Sequence, residues 1–234
     1  MKKRIQLQGF LIFVTTIVTI FFMVVRPDVL FVQWREERLD ACTDTIGIII
    51  ICLGYVIRLI ARGYKASQSS NGHKLVVDGI YSHVRNPMYL GSFLIGVGIV
   101  VMIFQLWVIL IIGLAFIMIY LPQTKKEENY LLKSFGDEYE RYKAQTPLFF
   151  PRRMFTFLYY LWSQLPYQWA SIKSEWPSFV SIVAIVSFLE AWQDTKLFVR
   201  HNFVIEFFQS ILIFIYVFFI AFVINKMIIR KSLS

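Results

Sequence analysis

The chain has 234 residues, of which 57% are apolar, and a formal net charge of +9. A soluble domain is normally about 45–50% apolar, so this composition excludes an ordinary soluble protein and indicates an integral membrane protein. Basic residues in such a protein mainly report topology and favour anionic lipid headgroups, so the charge does not predict a nucleic-acid partner. Cys42 and Cys52 are the only cysteines and no zinc-ligand spacing occurs, so we predict neither a disulfide nor a metal site.

The first predicted element is a membrane-spanning helix over about Leu7–Val25, which Pro27 ends because proline cannot continue a helix. Basic residues precede it within Met1–Arg4, as in a signal peptide. However, no small-residue cleavage site follows, and the apolar run is longer than that of a usual signal peptide. We therefore interpret it as a retained transmembrane helix.

A second span is predicted over about Thr43–Ile60, between two polar connections. Residues 26–40 are charged and predict a surface loop. Arg58 and Arg62 lie one helical turn apart at the end of the span, where their side chains are expected to reach the lipid headgroups. The Ser-rich residues 64–72 predict a second loop.

Residues 90–121 form a continuous apolar run of 32 residues. A single helix of that length would measure roughly 48 Å at 1.5 Å per residue, against a hydrocarbon core of about 30 Å. We therefore predict a helical hairpin that bends near Phe104–Gln105. Three glycines that permit close helix approach lie at Gly91, Gly96 and Gly98. The hairpin would return Glu127 to the side of the membrane that holds Arg85.

The remaining elements complete an all-α, polytopic membrane fold of about six membrane helices. Glu127–Lys143 predicts an amphipathic helix interrupted by Gly136. Residues 152–176 are basic and aromatic and predict a segment lying on the membrane surface. Two further spans are predicted over about Pro177–Trp192 and Phe203–Ile224.

Charge bias predicts the orientation of this fold. If the N-terminus, the polar blocks around the hairpin, residues 152–176 and the C-terminus face the cytosol, the outer loops hold only 5 of the 24 lysines and arginines. The positive-inside rule favours that arrangement. We expect a multi-pass protein with its active site facing the cytosol. We favour the bacterial inner membrane over the endoplasmic reticulum because the chain is short and compact.

Polar residues cluster where the chain enters the membrane at the hairpin. They are His73, Tyr81, Arg85, Asn86 and Tyr89. Glu127 and Glu128 follow at the end of the same hairpin, and acidic groups at a membrane boundary are costly unless they are paired or solvated. The residues alone allow two interpretations: a site for a small polar or zwitterionic ligand, or an ion pair of Arg85 with Glu127 or Glu128 that only pins the hairpin.

Several motifs in this order resemble one family. They are Asp78–Tyr81, Val84–Gly91, Glu127–Glu128, Phe135–Tyr142 and Thr146–Pro147. The pattern resembles the isoprenylcysteine carboxyl methyltransferase family, and phospholipid N-methyltransferases share it. The resemblance implies an all-helical membrane enzyme that uses S-adenosylmethionine (SAM) without a Rossmann domain, and a lipid or lipidated acceptor within the bilayer.

The same resemblance implies roles for individual residues. Cofactor contacts are implied for His73, Lys74, Leu75, Val76, Tyr81, Asn86, Pro87, Met88, Tyr89 and Glu127. We also predict catalytic roles for Arg85, Asn86 and Glu128, and a substrate contact for Gln123. Tyr81 or Tyr89 would steady the sulfonium through cation–π contact, and Glu127 would hold the amino or ribose part of SAM.

Two positions depart from the family pattern. The family's histidine before proline is Asn86 here; asparagine can form hydrogen bonds but does not shuttle protons near neutral pH. The carboxyl methyltransferases resemble one another in an arginine where this chain has Gln123, so a bidentate carboxylate clamp is missing. Lys125 or Lys126 would have to compensate.

We divide the chain into residues 1–65, with the N-terminal spans, residues 66–151, with the methyltransferase core, and residues 152–234, with the interfacial segment and two C-terminal spans. Tyr139 and Tyr142 are interpreted as packing or interface residues. Two alternatives remain open, namely a membrane NADPH-dependent reductase of the sterol type and a non-catalytic lipid-binding relative. The acceptor and the oligomeric state are not predicted.

Overall fold

The computed structural model of this chain describes residues 37–68, 74–164, 172–197, 202–205, 207–213 and 215–216. The predicted first span, Leu7–Val25, and His73 lie outside these residues, as does the end of the last predicted span. The regular elements described are helices, which confirms the predicted all-α architecture. They are α1 (Glu37–Gln68), α2 (Ile80–His83), α3 (Pro87–Ile103), α4 (Val108–Phe135), α5 (Asp137–Gln145), α6 (Met154–Gln164) and α7 (Ile172–Leu197).

Three helices in the described part are long and apolar enough to cross a membrane. Their candidate spans are Cys42–Gln68, Val108–Phe135 and Trp176–Gln193. Helix α3 is apolar but shorter, with 17 residues, and residues 203–205 and 207–213 are helical too. The chain is therefore an integral membrane protein, while the total of about six membrane helices stays a prediction.

Helices α1 and α3 pack backbone against backbone through glycines. A methyl group at Gly54 would lie 2.5 Å from the carbonyl oxygen of Gly91, and one at Gly91 would lie 2.5 Å from that of Gly54. Small residues at a crossing let membrane helices approach this closely. Arg58 also joins the two helices, because its Nη1 donates to Ser92 Oγ at 2.5 Å. The expectation that Arg58 reaches the headgroups stays a prediction.

The predicted hairpin is confirmed. Helix α3 ends at Ile103, Phe104 adopts an extended backbone, and α4 begins at Val108. The amide of Val108 donates to the carbonyl of Gln105 at 2.9 Å, which closes the turn. Two antiparallel helices thus replace the single long helix that the bilayer could not accommodate.

Several predicted boundaries are wrong. Residues 37–40 and 64–68 belong to α1 rather than to loops, since good helix formers such as alanine, lysine and arginine continue the helix in polar sequence. Residues 127–135 continue α4 instead of starting a separate helix. The predicted interruption at Gly136, which has φ 52°, is confirmed. Helix α7 begins at Ile172 and contains Pro177, although proline removes one helical hydrogen bond.

Candidate active site

The first motif, Asp78–Tyr81, begins in a short loop whose backbone conformation depends on Gly79. Gly79 has φ 63°, a conformation that side-chain-bearing residues rarely adopt. A methyl group there would lie 2.5 Å from the ring of Tyr64 and 2.8 Å from the hydroxyl of Tyr160. The loop is therefore clamped between α1 and α6. It presents Tyr81 from α2, whose hydroxyl donates to the carbonyl of Ala61 at 3.3 Å.

Residues 146–151, which we call the strap, hold the Arg85–Asn86 turn from the other side. The amide of Arg85 donates to the carbonyl of Pro147 at 2.9 Å, and the amide of Asn86 donates to that of Leu148 at 3.2 Å. The side chain of Asn86 also reaches Leu148, with Nδ2 at 3.4 Å from its carbonyl oxygen. The Thr146–Pro147 motif thus orders the backbone just before α3.

The hairpin brings Arg85 and Glu128 together. Arg85 Nη1 lies 3.1 Å from Glu128 Oε1, and the side chains are only 11% and 14% exposed. The N–H group is not aligned with that oxygen, so the two atoms form an ionic contact without a hydrogen bond. Arg85 Nε has no hydrogen-bond partner among the described residues. Lys143 Nζ, on the exposed side, lies 3.5 Å from Glu128 Oε2.

Glu127 is bonded separately from Glu128. The hydroxyl of Tyr89 donates to Glu127 Oε1 at 2.7 Å, and Gln123 Nε2 donates to the same oxygen at 2.8 Å. Among the described residues, no hydrogen bond reaches the other carboxylate oxygen, Oε2. One oxygen is thus fixed by α3 and α4 together, and the other can accept from a ligand.

Helix α5 covers the ion pair with two buried phenols. Burial raises the pKa of Tyr139 to about 12; the Glu128 carboxylate adds to this rise and the Arg85 guanidinium opposes it. Burial also raises the pKa of Tyr142 well above its usual value, and its hydroxyl donates to the carbonyl of Tyr81 at 2.8 Å. Both phenols stay protonated near neutral pH.

Sequence reasoning did not assign Tyr139 or Lys143 to this site. The two residues are four apart on α5, which places both on one helix face next to Glu128. Tyr139 is buried in a small core with Leu75 and Tyr142, so the expectation that it packs is confirmed. The sequence does show that Tyr139 and Lys143 share one face of a helix. It does not show which acidic residue lies against that face.

The other predicted site residues have different surroundings. Lys74 is exposed and Val76 is half-buried, beside the buried Leu75. Pro87 is buried, and Met88 packs against the core cluster that joins α1, α2, α3 and α6. Between the 74–78 segment and α5 lies a cleft of about 500 Å³. Its polar lining residues are Asp78, Ser82, Asp137, Glu138, Arg141, Gln145 and Thr146.

A row of aromatic rings runs along the hairpin from this site. Ring centroids are 4.7 Å apart for Tyr89 and Tyr120, and 4.8 Å apart for Phe93 and Phe116. Phe149 of the strap lies 5.3 Å from Phe116. The polar site thus opens onto an aromatic and apolar surface, which suits a ligand with a polar head and an apolar tail.

The region that carries this site is similar in sequence to known proteins. Residues 43–138 match the family model described as phospholipid methyltransferase. The chain is 32% identical over 120 residues to a nickel-cobalt-cadmium resistance protein of Alcaligenes xylosoxydans xylosoxydans. The matched region covers 51% of this chain and 55% of that protein. No solved structure matches the chain significantly.

Two further relatives carry the name protein-S-isoprenylcysteine O-methyltransferase. That of Schizosaccharomyces pombe is 32% identical over 113 residues, covering 45% of this chain and 47% of the relative. That of Rattus norvegicus is 27% identical over 126 residues, covering 50% of this chain and 44% of the relative. The chain thus spans about half the length of the curated relatives it matches.

Proposed function

We propose that this chain, whose residues 43–138 match the family model described as phospholipid methyltransferase, is an integral membrane methyltransferase. It uses SAM and transfers the methyl group to a lipid or to a lipidated acceptor of the isoprenylcysteine kind. The observation that carries the proposal is the pairing of the two motif blocks across the hairpin. Tyr89 meets Glu127 at 2.7 Å and Arg85 meets Glu128 at 3.1 Å, so both blocks end at one site.

The residues present fit SAM. Glu127 has one carboxylate oxygen held by Tyr89 and Gln123 and one that accepts no hydrogen bond from the described residues. An oxygen of this kind suits the ammonium group or a ribose hydroxyl. SAM supplies a methyl group already activated on a sulfonium, so the chain need only bind, orient and exclude water. We assign cofactor contacts to Tyr81, Tyr89 and Glu127.

The ion pair is assigned a positioning role. Arg85 and Glu128 are nearly buried, and leaving either without its partner would be costly. Their contact holds the ends of α3 and α4 in register, so it keeps Tyr89 opposite Glu127. The amide of Asn86 is directed to the strap, which argues against its use as a proton shuttle.

Gln123 is assigned to Glu127 rather than to the acceptor. Its Nε2 donates to the Glu127 carboxylate, so it orients the cofactor-binding group. A carboxylate clamp of the kind that arginine provides is therefore missing at this position. We place the acceptor's tail along the aromatic row of α3 and α4, where the rings of Phe93 and Phe116 pair.

Transfer of a labelled methyl group from SAM into a lipid extract tests this function. The purified chain in lipid vesicles should label a lipid-soluble product, which mass spectrometry would identify. Glu127→Ala should abolish SAM binding in calorimetry, whereas the exposed Lys133→Ala, one to two turns further along α4, should not change it. Binding of NADPH without SAM would support a reductase instead, and binding of neither would support a non-catalytic lipid-binding protein.

A further inference from the structure

Helix α6 carries an uncovered aromatic face. Phe155, Tyr159 and Trp162 lie at helical spacing and are 90%, 76% and 57% exposed among the described residues. The other side of the helix is fixed, because Phe157 and Leu161 are buried in the core cluster of α1, α2 and α3. The protein therefore determines which face of α6 points outward.

The segment that contains this aromatic face carries an excess of positive charge. No aspartate or glutamate occurs between Glu140 and Glu175, whereas five basic residues do. They are Arg141, Lys143, Arg152, Arg153 and Lys173. Arg152 and Arg153 are exposed and immediately precede α6. Aromatic rings beside basic side chains match the interface of a membrane rich in anionic lipids.

Helix α6 also contacts the candidate active site from two sides. The ring of His83, next to the Arg85 turn, lies 5.8 Å from that of Phe157 and 5.1 Å from that of Tyr160. The strap that leads into α6 accepts the backbone amides of Arg85 and Asn86. A lipid bound to α6 would therefore fix the height of the site relative to the headgroups.

We propose that α6, with Arg152 and Arg153, forms a binding surface for anionic lipid headgroups in the leaflet next to the site. The aromatic rings of Phe155, Tyr159 and Trp162 lie among the headgroups and the upper acyl chains. The guanidinium groups pair with the negative charge of the lipids. Two basic residues near an anionic surface predict a local enrichment of up to about thirtyfold.

Quenching of a fluorophore on α6 tests the proposal without any need for catalysis. Tyr159→Cys is labelled in a chain in which Cys42→Ser and Cys52→Ala remove the native thiols. The full chain is placed in phosphatidylcholine vesicles that contain equal fractions of brominated phosphatidylglycerol or brominated phosphatidylcholine. Phosphatidylglycerol should quench the label several times more strongly than phosphatidylcholine.

Two paired variants separate charge from folding. Arg152→Gln with Arg153→Gln should remove the preference for phosphatidylglycerol, whereas Arg152→Lys with Arg153→Lys should retain it. Equal quenching by the two lipids in the parent chain would overturn the proposal, as would a preference that survives the glutamine pair. A label that neither lipid quenches would also overturn it, because a protein surface would then cover α6. None of these results depends on methyl transfer, so the proposed function stands or falls separately.

Discussion

The two helices of the hairpin differ in what holds them. Eight of the 17 residues of α3 are buried, and the helix lies against α1 through glycines. In α4 the only residue described as buried is Thr124. Only 11% of the most apolar 18-residue stretch of this helix is buried. The motif residues on α3 are therefore placed by a rigid scaffold. Glu127 and Glu128 on α4 depend on a few aromatic and ionic contacts, and the outer face of α4 is exposed among the described residues.

The largest effect is expected at the crossing of α1 and α3. Gly91→Ala would place a methyl group 2.5 Å from the carbonyl oxygen of Gly54, so the unfolding free energy should fall by about 3 kcal/mol or more. Gly113→Ala on α4 is the control, because nothing lies within 4 Å of a methyl group there. Thermal unfolding in detergent should show a stable control, and equal losses at both glycines would contradict the contrast between the helices.

The ion pair of Arg85 and Glu128 connects α4 to the turn before α3. Arg85→Ala leaves the nearly buried Glu128 with only the exposed Lys143 as a cationic partner, and we expect a loss of about 3 kcal/mol. Lys143→Ala removes a cation from the same carboxylate, but Lys143 is 51% exposed, so the loss should stay below about 1 kcal/mol. Chemical unfolding of both variants measures the difference. Similar small losses would mean that the pair does not hold α4.

Alkaline pH should destabilise the packing of α5 against the ion pair of Arg85 and Glu128. Burial raises the pKa of Tyr139 to about 12, above the ordinary value of about 10. The folded state then holds the phenolic proton more tightly than the unfolded state does, so stability is complete below about pH 10 and falls as pH rises towards 12. The slope is at most about 1.4 kcal/mol per pH unit for this group. Tyr139→Phe should reduce the measured slope by this contribution, and an unchanged slope would contradict the assignment.

The aromatic row should have the smallest effect. Phe116→Leu removes ring contacts with Phe93 and Tyr120, and such pairs contribute about 0.5–1.5 kcal/mol each beyond their buried area. Leu114→Ala, at a side chain that is 63% exposed, should change stability little in lipid. Unfolding measured in vesicles would compare the two. A larger loss at Leu114 would mean that another surface covers the outer face of α4.

The hairpin was predictable because the length of the apolar run is enough to exclude a single crossing. An apolar run of residues 90–121 is too long for one crossing, and the bend lies where this argument placed it. The choice of ion pair was not predictable, since Glu127 and Glu128 are adjacent and either could meet Arg85. The structure pairs Arg85 with Glu128 and leaves Glu127 to Tyr89, which depends on the rotation of α4 about its axis.

Other errors came from local signals that packing overrides. The polar residues 64–68 looked like a loop, but they continue α1, and Tyr64 packs beside Gly79. Arg58 was interpreted from its position at the end of a span, and its hydrogen bond to Ser92 on α3 was not predicted. In each case the deciding partner lies more than ten residues away in sequence, where periodicity and composition carry no information.

We infer that α3 and α4 bind one cofactor through Tyr89 and Glu127. The most direct test is calorimetric SAM binding by the parent chain, Tyr89→Phe, Glu127→Gln and the double variant. We predict that each single change weakens binding and that the double variant loses less than the sum, because the two side chains share one hydrogen bond. SAM affinity that is unchanged in all three variants, or losses that simply add, would contradict the claim.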